Sequence, residues 1–360
     1  VIDLGMIDTP DGLTAEWLTR ALGASGLLDD ERIAEVTSAA IGTGQMSENL
    51  RLALSYDRPT TLPAAMVAKL PAASETSRAT AKMLGSYANE VRFYQHVAPK
   101  LPMRTPDVFF AEIDMESASF VLLLEDLAPA HPGDQLAGCS PDVAKIAVDE
   151  LVKLHAPLWG DPLVGSLEWL RPDPANEGWL LGLLPSLWDN FRTRYDTDLT
   201  LDVRRAGDDL FAHLEAYLLA DTGPLSVIHG DYRLDNLLFD PTPGGTAIAV
   251  VDWQTCRQGP ALQDVAYFIG AGLTTDERRV VEETLVRDYH SGLVTAGVRD
   301  YDWDRCWHDY RRGTWAGLVM AVAASNLVER TDRGDQMFLT MASRHARHAL
   351  DLDAVGAIAD

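Results

Sequence analysis

Hydrophobic and polar positions follow two different rhythms along this chain. In the first third they alternate; beyond residue 127 they recur at helical spacing. Thr14 to Leu22 predicts a short amphipathic helix with Thr14 as its N-cap. Ile33 to Ile41 predicts a strand, followed by Gly42-Thr43-Gly44. Leu50, Leu52, Leu54 and Tyr56 alternate with other side chains as a half-buried strand requires, and Arg58-Pro59 begins the turn after it. Ala64 to Leu70 predicts a third strand. Arg78 to Ala98 has helical spacing, with Met83, Leu84, Tyr87, Val91 and Tyr94 on one side. Val108 to Ile113 and Phe120 to Leu124 predict a hairpin turned by Asp114 to Ser117.

Pro129, Pro132 and Gly133 then mark a crossing segment. Val143 to Leu158, carrying Ile146, Val148, Leu151 and Leu154, predicts a helix. Further helices are expected near 204–219, 262–271, 276–293, 303–328 and 333–350. Between them Leu237 to Phe239 and Ile248 to Val251 predict a small β insertion. The pattern gives an α+β chain in two lobes: residues 1–127, mainly antiparallel β with one key helix and a short N-terminal helix, and residues 128–360, mainly helical. No internal repeat or low-complexity segment interrupts it.

Composition narrows the function classes. The 360 residues are 47% hydrophobic and 23% charged, ordinary values for a globular chain with ample core material. A formal net charge of −24 and no basic stripe argue against nucleic acid as a partner. The same acidity suits either a cationic acceptor or plain solubility. The longest apolar stretch, Trp315 to Ala324, is too short to span a bilayer, and no signal peptide is visible, so no membrane association is expected. Cys139, Cys256 and Cys306 are scattered, without metal-ligand spacing or a disulfide framework, which fits a reducing cytoplasmic compartment. Oligomeric state has no sequence signal.

The chemistry concentrates in Val227-Ile228-His229-Gly230-Asp231-Tyr232-Arg233-Leu234-Asp235-Asn236-Leu237. A carboxylate and a carboxamide stand five residues apart in a polar loop between apolar runs, and the next apolar run ends on Asp252. One acid to take a proton, then an amide and an acid to share a metal ion, is the layout phosphoryl transfer needs. Asp231 is the candidate base, and Asn236 with Asp252 are candidate ligands to Mg2+, which prefers few hard oxygen donors from protein. Lys69 is one of only five lysines and lies in an otherwise apolar strand. Its ammonium needs an anionic partner; ATP phosphates, with Glu90 on the following helix, would supply one. Gly42 and Gly44 let backbone N–H groups approach phosphates, although an ordinary hairpin turn fits the same residues and the pattern is neither a Walker loop nor a dinucleotide fingerprint. Glu125 and Leu127, in Glu125-Asp126-Leu127, offer backbone for the adenine edge; a simple linker fits equally. Asp264 is expected to accept N–H bonds from the loop or cap a helix, and His155 and His229 to hold loops. Trp169, Trp179, Trp188, Trp303, Trp307 and Trp315 either line an acceptor pocket or pack in the core, the commoner use.

His229-Gly230-Asp231, Asn236 and Asp252-Trp253-Gln254 together resemble the aminoglycoside phosphotransferase and choline kinase superfamily. Glu125-Asp126-Leu127, Leu154-His155-Ala156 and the Asp252-Trp253-Gln254 step are most similar to its choline/ecdysteroid-kinase-like branch. The resemblance runs from Ile41 to Phe268. It implies a bilobal protein-kinase-like fold with ATP between the lobes, Lys69 on the α/β phosphates with Glu90 as its partner, Asp231 as base, and Asn236 and Asp252 on magnesium. Gly230 replaces the arginine of a protein kinase's catalytic loop, Trp253-Gln254 replaces Phe-Gly, and the stretch from Asp252 to Leu262 is too short for an activation segment. A small hydroxylated acceptor is therefore expected rather than a protein. Two alternatives stand: a catalytically silent nucleotide-binding pseudokinase, and a hydrolase holding a transition metal through His229, Asp231 and Asp252.

Overall fold

The computed structural model describes residues 4–42, 46–171, 174–219, 224–240, 242–245 and 247–359. The chain divides into two compact units. One comprises Val1–Lys100, Thr105–Pro129 and Val251–Gln254; the other comprises Leu101–Arg104, Ala130–Val250 and Thr255–Asp360.

The first unit is built on five antiparallel strands, β1 (Ile33–Ala40), β2 (Ser47–Tyr56), β3 (Ala65–Pro71), β4 (Val108–Asp114) and β5 (Ser119–Glu125), in the order β1-β2-β3-β5-β4. Period-two alternation sends Leu50, Leu52 and Leu54 of β2 and Met66, Ala68 and Leu70 of β3 to one face. Helix α1 (Ala15–Ala24) covers that face with Trp17, Leu18, Ala21 and Leu22. The Thr14 side chain accepts from Trp17 N, the expected N-cap. The β4–β5 hairpin also forms as expected.

The single helix predicted over Arg78 to Ala98 is two helices, α2 (Glu75–Leu84) and α3 (Ser86–His96). Gly85 breaks them by adopting φ +68°, a left-handed conformation that ends a helix without Cβ strain. Met83 and Leu84, expected on one side with Tyr87, Val91 and Tyr94, are 56% and 42% exposed, whereas those three are buried.

The second unit is mainly helical. Helix α4 (Pro141–His155) is followed by α5 (Pro162–Ser166), α6 (Pro174–Arg194), α7 (Leu201–Ala212) and α8 (Leu214–Leu219). Then come α9 (Leu262–Gly272), α10 (Thr275–Thr295), α11 (Trp303–Gly313), α12 (Trp315–Leu327), α13 (Asp332–Asp351) and α14 (Gly356–Ala359). Periodicity does not predict α6: Pro185 lies inside it and apolar residues surround much of it. Tertiary packing supplies what propensity lacks, since Leu184, Leu187, Trp188 and Phe191 pack against α7, α12 and α13 residues in one hydrophobic core. The helices expected at 204–219 and 303–328 are each interrupted, at His213 and Thr314. Short strands complete the unit: β6 (His131–Pro132), β8 (Leu237–Phe239) and β9 (Ala249–Val250) form one sheet, and β7 (Ser226–Ile228) pairs with β10 (Arg257–Gly259). Among the described residues no helix is long and apolar enough to cross a membrane.

Candidate active site

The first unit gathers three of the residues singled out from the sequence. Lys69 is one residue out of phase with Met66, Ala68 and Leu70, so it faces away from the α1 core. It is 4% exposed, and its Nζ lies 2.7 Å from Glu90 Oε1 on α3 and 3.0 Å from Asp252 Oδ1. Burial works to strip the Lys69 proton, but attraction to Asp252 and Glu90 outweighs it and raises the pKa above the ordinary lysine value. Burial likewise raises the Glu90 pKa, against the pull of Lys69 and with the push of Asp252. Two carboxylates thus face one ammonium, and a further cation would be favoured beside them.

Asp252 is held by its own neighbours. It adopts φ +68°, a left-handed conformation costly for a non-glycine residue. The next residue, Trp253, is fully buried and stacks on Phe93 with ring centroids 3.7 Å apart and planes 8° from parallel. The Gln254 amide donates to Ser47 Oγ at 3.3 Å. Helix α3 therefore supplies Glu90 and, one turn on, the Phe93 platform beneath the Asp252 segment. The Asp252 side chain stays 41% exposed.

The second unit gathers the others. Strand β7 delivers His229 and Gly230 to a tight loop. Gly230 has φ +81°, and a Cβ there would fall 2.6 Å from Thr255 O and 2.8 Å from Arg257 Nη1. Only glycine fits, which explains its presence where protein kinases carry arginine. Asp264, 1% exposed on the first turn of α9, accepts from His229 N at 2.6 Å and Gly230 N at 2.9 Å. His155 Nε2 lies 3.3 Å from the same carboxylate and its Nδ1 lies 2.8 Å from the Tyr289 hydroxyl. Burial pushes the Asp264 pKa up, but the His155 hydrogen bond, the nearby histidines and the Gly230 amide bring it below the ordinary value. His229 Nδ1 accepts from Asp231 N at 3.2 Å. Asp264, His155 and His229 thus hold the loop, as expected.

Asp231 and Asn236 meet inside this loop. The Asn236 amide donates to Asp231 O at 2.9 Å and to Asp231 Oδ2 at 3.1 Å, which turns its own Oδ1 away from Asp231. Two partners of Asp231 had no assigned role in the sequence. Arg233 Nε donates to Oδ2 at 3.0 Å and its Nη1 to Asp235 Oδ2 at 2.8 Å. The Tyr267 hydroxyl donates to Oδ1 at 2.6 Å. Helical spacing could have found Tyr267: it follows Asp264 by three residues on α9 and so shares its face.

Gly42 is exposed with φ +72°, and Gly44 lies outside the described residues. Glu125 ends β5, and its carboxylate accepts from Asp107 N at 3.1 Å; Leu127 is half-buried in the coil beyond. Trp188 and Trp315 belong to the hydrophobic core shared by α6, α7, α12 and α13, whereas Trp169, Trp303 and Trp307 are half-buried. The Trp179 side chain is outside the described set.

The donor chemistry fits magnesium. Asp252 offers a partly exposed carboxylate oxygen and Asn236 offers an amide oxygen; each by itself is a hard donor of the kind Mg2+ takes. Among the described residues no three His, Cys, Asp or Glu side chains converge as a softer metal site would require.

Known proteins sharpen the picture. The structure of a microcompartment-associated aminopropanol kinase superposes with a TM-score of 0.53 at 15% identity, covering 94% of this chain and 99% of that one. The GDP complex of wild-type aminoglycoside 2'-phosphotransferase-IIIa gives 0.52 at 13% identity, covering 93% and 99%. At such identities the likeness is one of fold: an α+β, bilobal, protein-kinase-like architecture. A sequence profile of the phosphotransferase enzyme family matches residues 54–306, well over half of the chain, and the protein belongs to that family. A 77-residue stretch is 35% identical to Acyl-CoA dehydrogenase family member 11 of Gallus gallus, 21% of this chain and about a tenth of that protein's length.

Proposed function

We propose that this phosphotransferase is an ATP-dependent small-molecule kinase that moves the γ-phosphate of ATP to a hydroxyl of a small acceptor. The observation that carries the reading is the buried Lys69 ammonium held between Glu90 and Asp252. A lysine so oriented and fully charged is suited to the α/β phosphates. In this reading residues 1–127 bind the nucleotide, with Gly42 and Gly44 near the phosphates and the backbone at Glu125 and Leu127 near the adenine. Residues 128–360 carry the catalytic loop and the acceptor pocket. Asn236 and Asp252 would each offer an oxygen to Mg2+, and the ion, when bound, would neutralise phosphate charge. Asp231 orients the acceptor hydroxyl and takes its proton as the oxygen attacks in line. The free cysteines are consistent with a cytoplasmic setting. Membership of a phosphotransferase family weighs against a hydrolase.

The test is ADP release from Mg-ATP across a panel of hydroxylated metabolites and antibiotics, with the phosphorylated position read by mass spectrometry. Asp231→Asn is expected to lower turnover about a hundredfold or more while ATP affinity is retained. An undiminished rate would remove Asp231 from the mechanism. ATP binding without turnover on any alcohol would support the silent pseudokinase instead.

A further inference from the structure

A carboxylate oxygen has two acceptor positions. Asp231 Oδ2 uses both, taking Arg233 Nε at 3.0 Å and Asn236 Nδ2 at 3.1 Å. Asp231 Oδ1 takes the Tyr267 hydroxyl at 2.6 Å and keeps one position among the described residues. The two oxygens are therefore unequal. Any hydroxyl that approaches this carboxylate meets a saturated Oδ2 and a half-occupied Oδ1.

Tyr267 is well placed to maintain that difference. It is 2% exposed and lies on the helix whose Asp264 binds the loop backbone, so one element fixes both the loop and its carboxylate. Burial and the neighbouring Asp231 hold its pKa well above the usual phenol value, so it acts as a donor and does not compete for a proton. Its ring rests beside the His345 ring, with centroids 5.4 Å apart. That histidine is wedged in turn. A Cβ on Gly270 would lie 2.6 Å from the Nδ1 atoms of both His345 and His348, and one on Gly317 would collide with the His345 ring. Packing of this kind fixes the ring rather than letting it hop.

We propose that Tyr267 is the positioning residue that selects Oδ1 of Asp231 as the proton-accepting atom. The inference rests on Asp231 being the base. In the step, the acceptor O–H proton passes to Oδ1 while the acceptor oxygen bonds to the γ-phosphorus. The bond from that phosphorus to the β–γ bridging oxygen breaks, and ADP leaves with the electron pair. Tyr267 keeps its own proton throughout. Its hydrogen bond stops the carboxylate from rotating about Cβ–Cγ and scrambling the two oxygens.

The test is a double-mutant cycle on the full chain, read as ADP release from Mg-ATP with water and with the best alcohol of the panel. Tyr267→Phe removes one hydroxyl and preserves the ring. It is expected to lower kcat by about tenfold to a hundredfold, the scale of a hydrogen bond to a charged group, with KM for ATP changed by less than about twofold. In an Asp231→Ala background the same substitution is expected to leave the residual rate unchanged, because no carboxylate remains to orient. A ring-fluorinated tyrosine at 267 changes donor strength at constant shape, and kcat is expected to move with it. A wild-type kcat in Tyr267→Phe, alongside a strong loss in Asp231→Ala, would overturn the role of Tyr267 and leave the base intact. An equal proportional loss in both backgrounds would also overturn it, as a merely structural effect. Wild-type turnover in Asp231→Ala would instead bring down the reading of Asp231 on which the inference stands.

Discussion

Replacing Asp264 by asparagine keeps the shape of the side chain and removes one acceptor and one charge. In the native loop the carboxylate takes His229 N at 2.6 Å on one oxygen and Gly230 N at 2.9 Å on the other. An amide can satisfy only one of them; its NH2 must face the second N–H donor to donor. At a site 1% exposed, water has no ready access to repair the mismatch. An orphaned buried N–H costs about 1–3 kcal/mol and the lost charge-assisted bond about 1.5–3 kcal/mol, so a loss of about 2.5–6 kcal/mol is expected. For a domain of this size each kcal/mol moves Tm by about 2–4 °C, giving a fall of roughly 5–24 °C. The pH dependence should change as well. The Asp264 pKa is lowered from 3.8 in the folded state, so the unfolded chain binds the proton more readily. Its stabilisation is complete above about pH 4 and is lost as pH falls through the folded value. That acid-side loss should be absent in the variant. Calorimetry at neutral and acid pH, with ADP release to follow the loop, tests both points. An Asp264→Asn protein that melts within about 1 °C of wild type and turns over normally would refute this account of the loop.

Other perturbations probe separate parts of the structure. Lys69→Met leaves the buried Glu90 and the partly exposed Asp252 without their ammonium; KM for ATP should rise and kcat fall, each by about tenfold or more. Because burial already raises the Glu90 pKa, its stability deficit should be smaller at mildly acid than at alkaline pH, as paired melts will show. Gly230→Ala must place a Cβ 2.6 Å from Thr255 O at φ +81°; a loss of about 1–3 kcal/mol from strain, with most turnover gone, is expected in melts and ADP assays. His345 is buried, neither ring nitrogen has a hydrogen-bond partner among the described residues, and its pKa is held well below 6.5 by burial and by His348, Arg344 and Arg278. The unfolded chain therefore gains a proton below about pH 6.5 that the native state refuses, and stability should fall by up to about 1.4 kcal/mol per pH unit. The slope of Tm against pH between about 5 and 6.5 should be shallower in His345→Leu.

Much of the fold and half of each site could be read from local order. Alternation gave the strands because only one face of the sheet meets α1. Lys69 announced itself as a charge in an apolar strand, and the demand for a counterion pointed to Glu90. The loop around Asp231 was legible because its polar residues interrupt two apolar runs. Helix α6 was not, because Pro185 and a broadly apolar surface erase the periodic signal that packing makes unnecessary. The break at Gly85 was missed because a helix and its left-handed stop share the same apolar spacing on either side.

Linear order specifies which chemical groups are present and how far apart they sit along the backbone. That is local information: period, capping, turn chemistry and the cost of burying a lone charge. Tertiary structure alone decided that Asp252, 183 residues beyond Lys69, shares its ammonium with Glu90, and that Tyr267, 36 residues beyond Asp231, caps one of its two oxygens. Such pairings depend on how helices and strands pack side by side. No repeat in the linear pattern encodes the partner across the core, only the need for one.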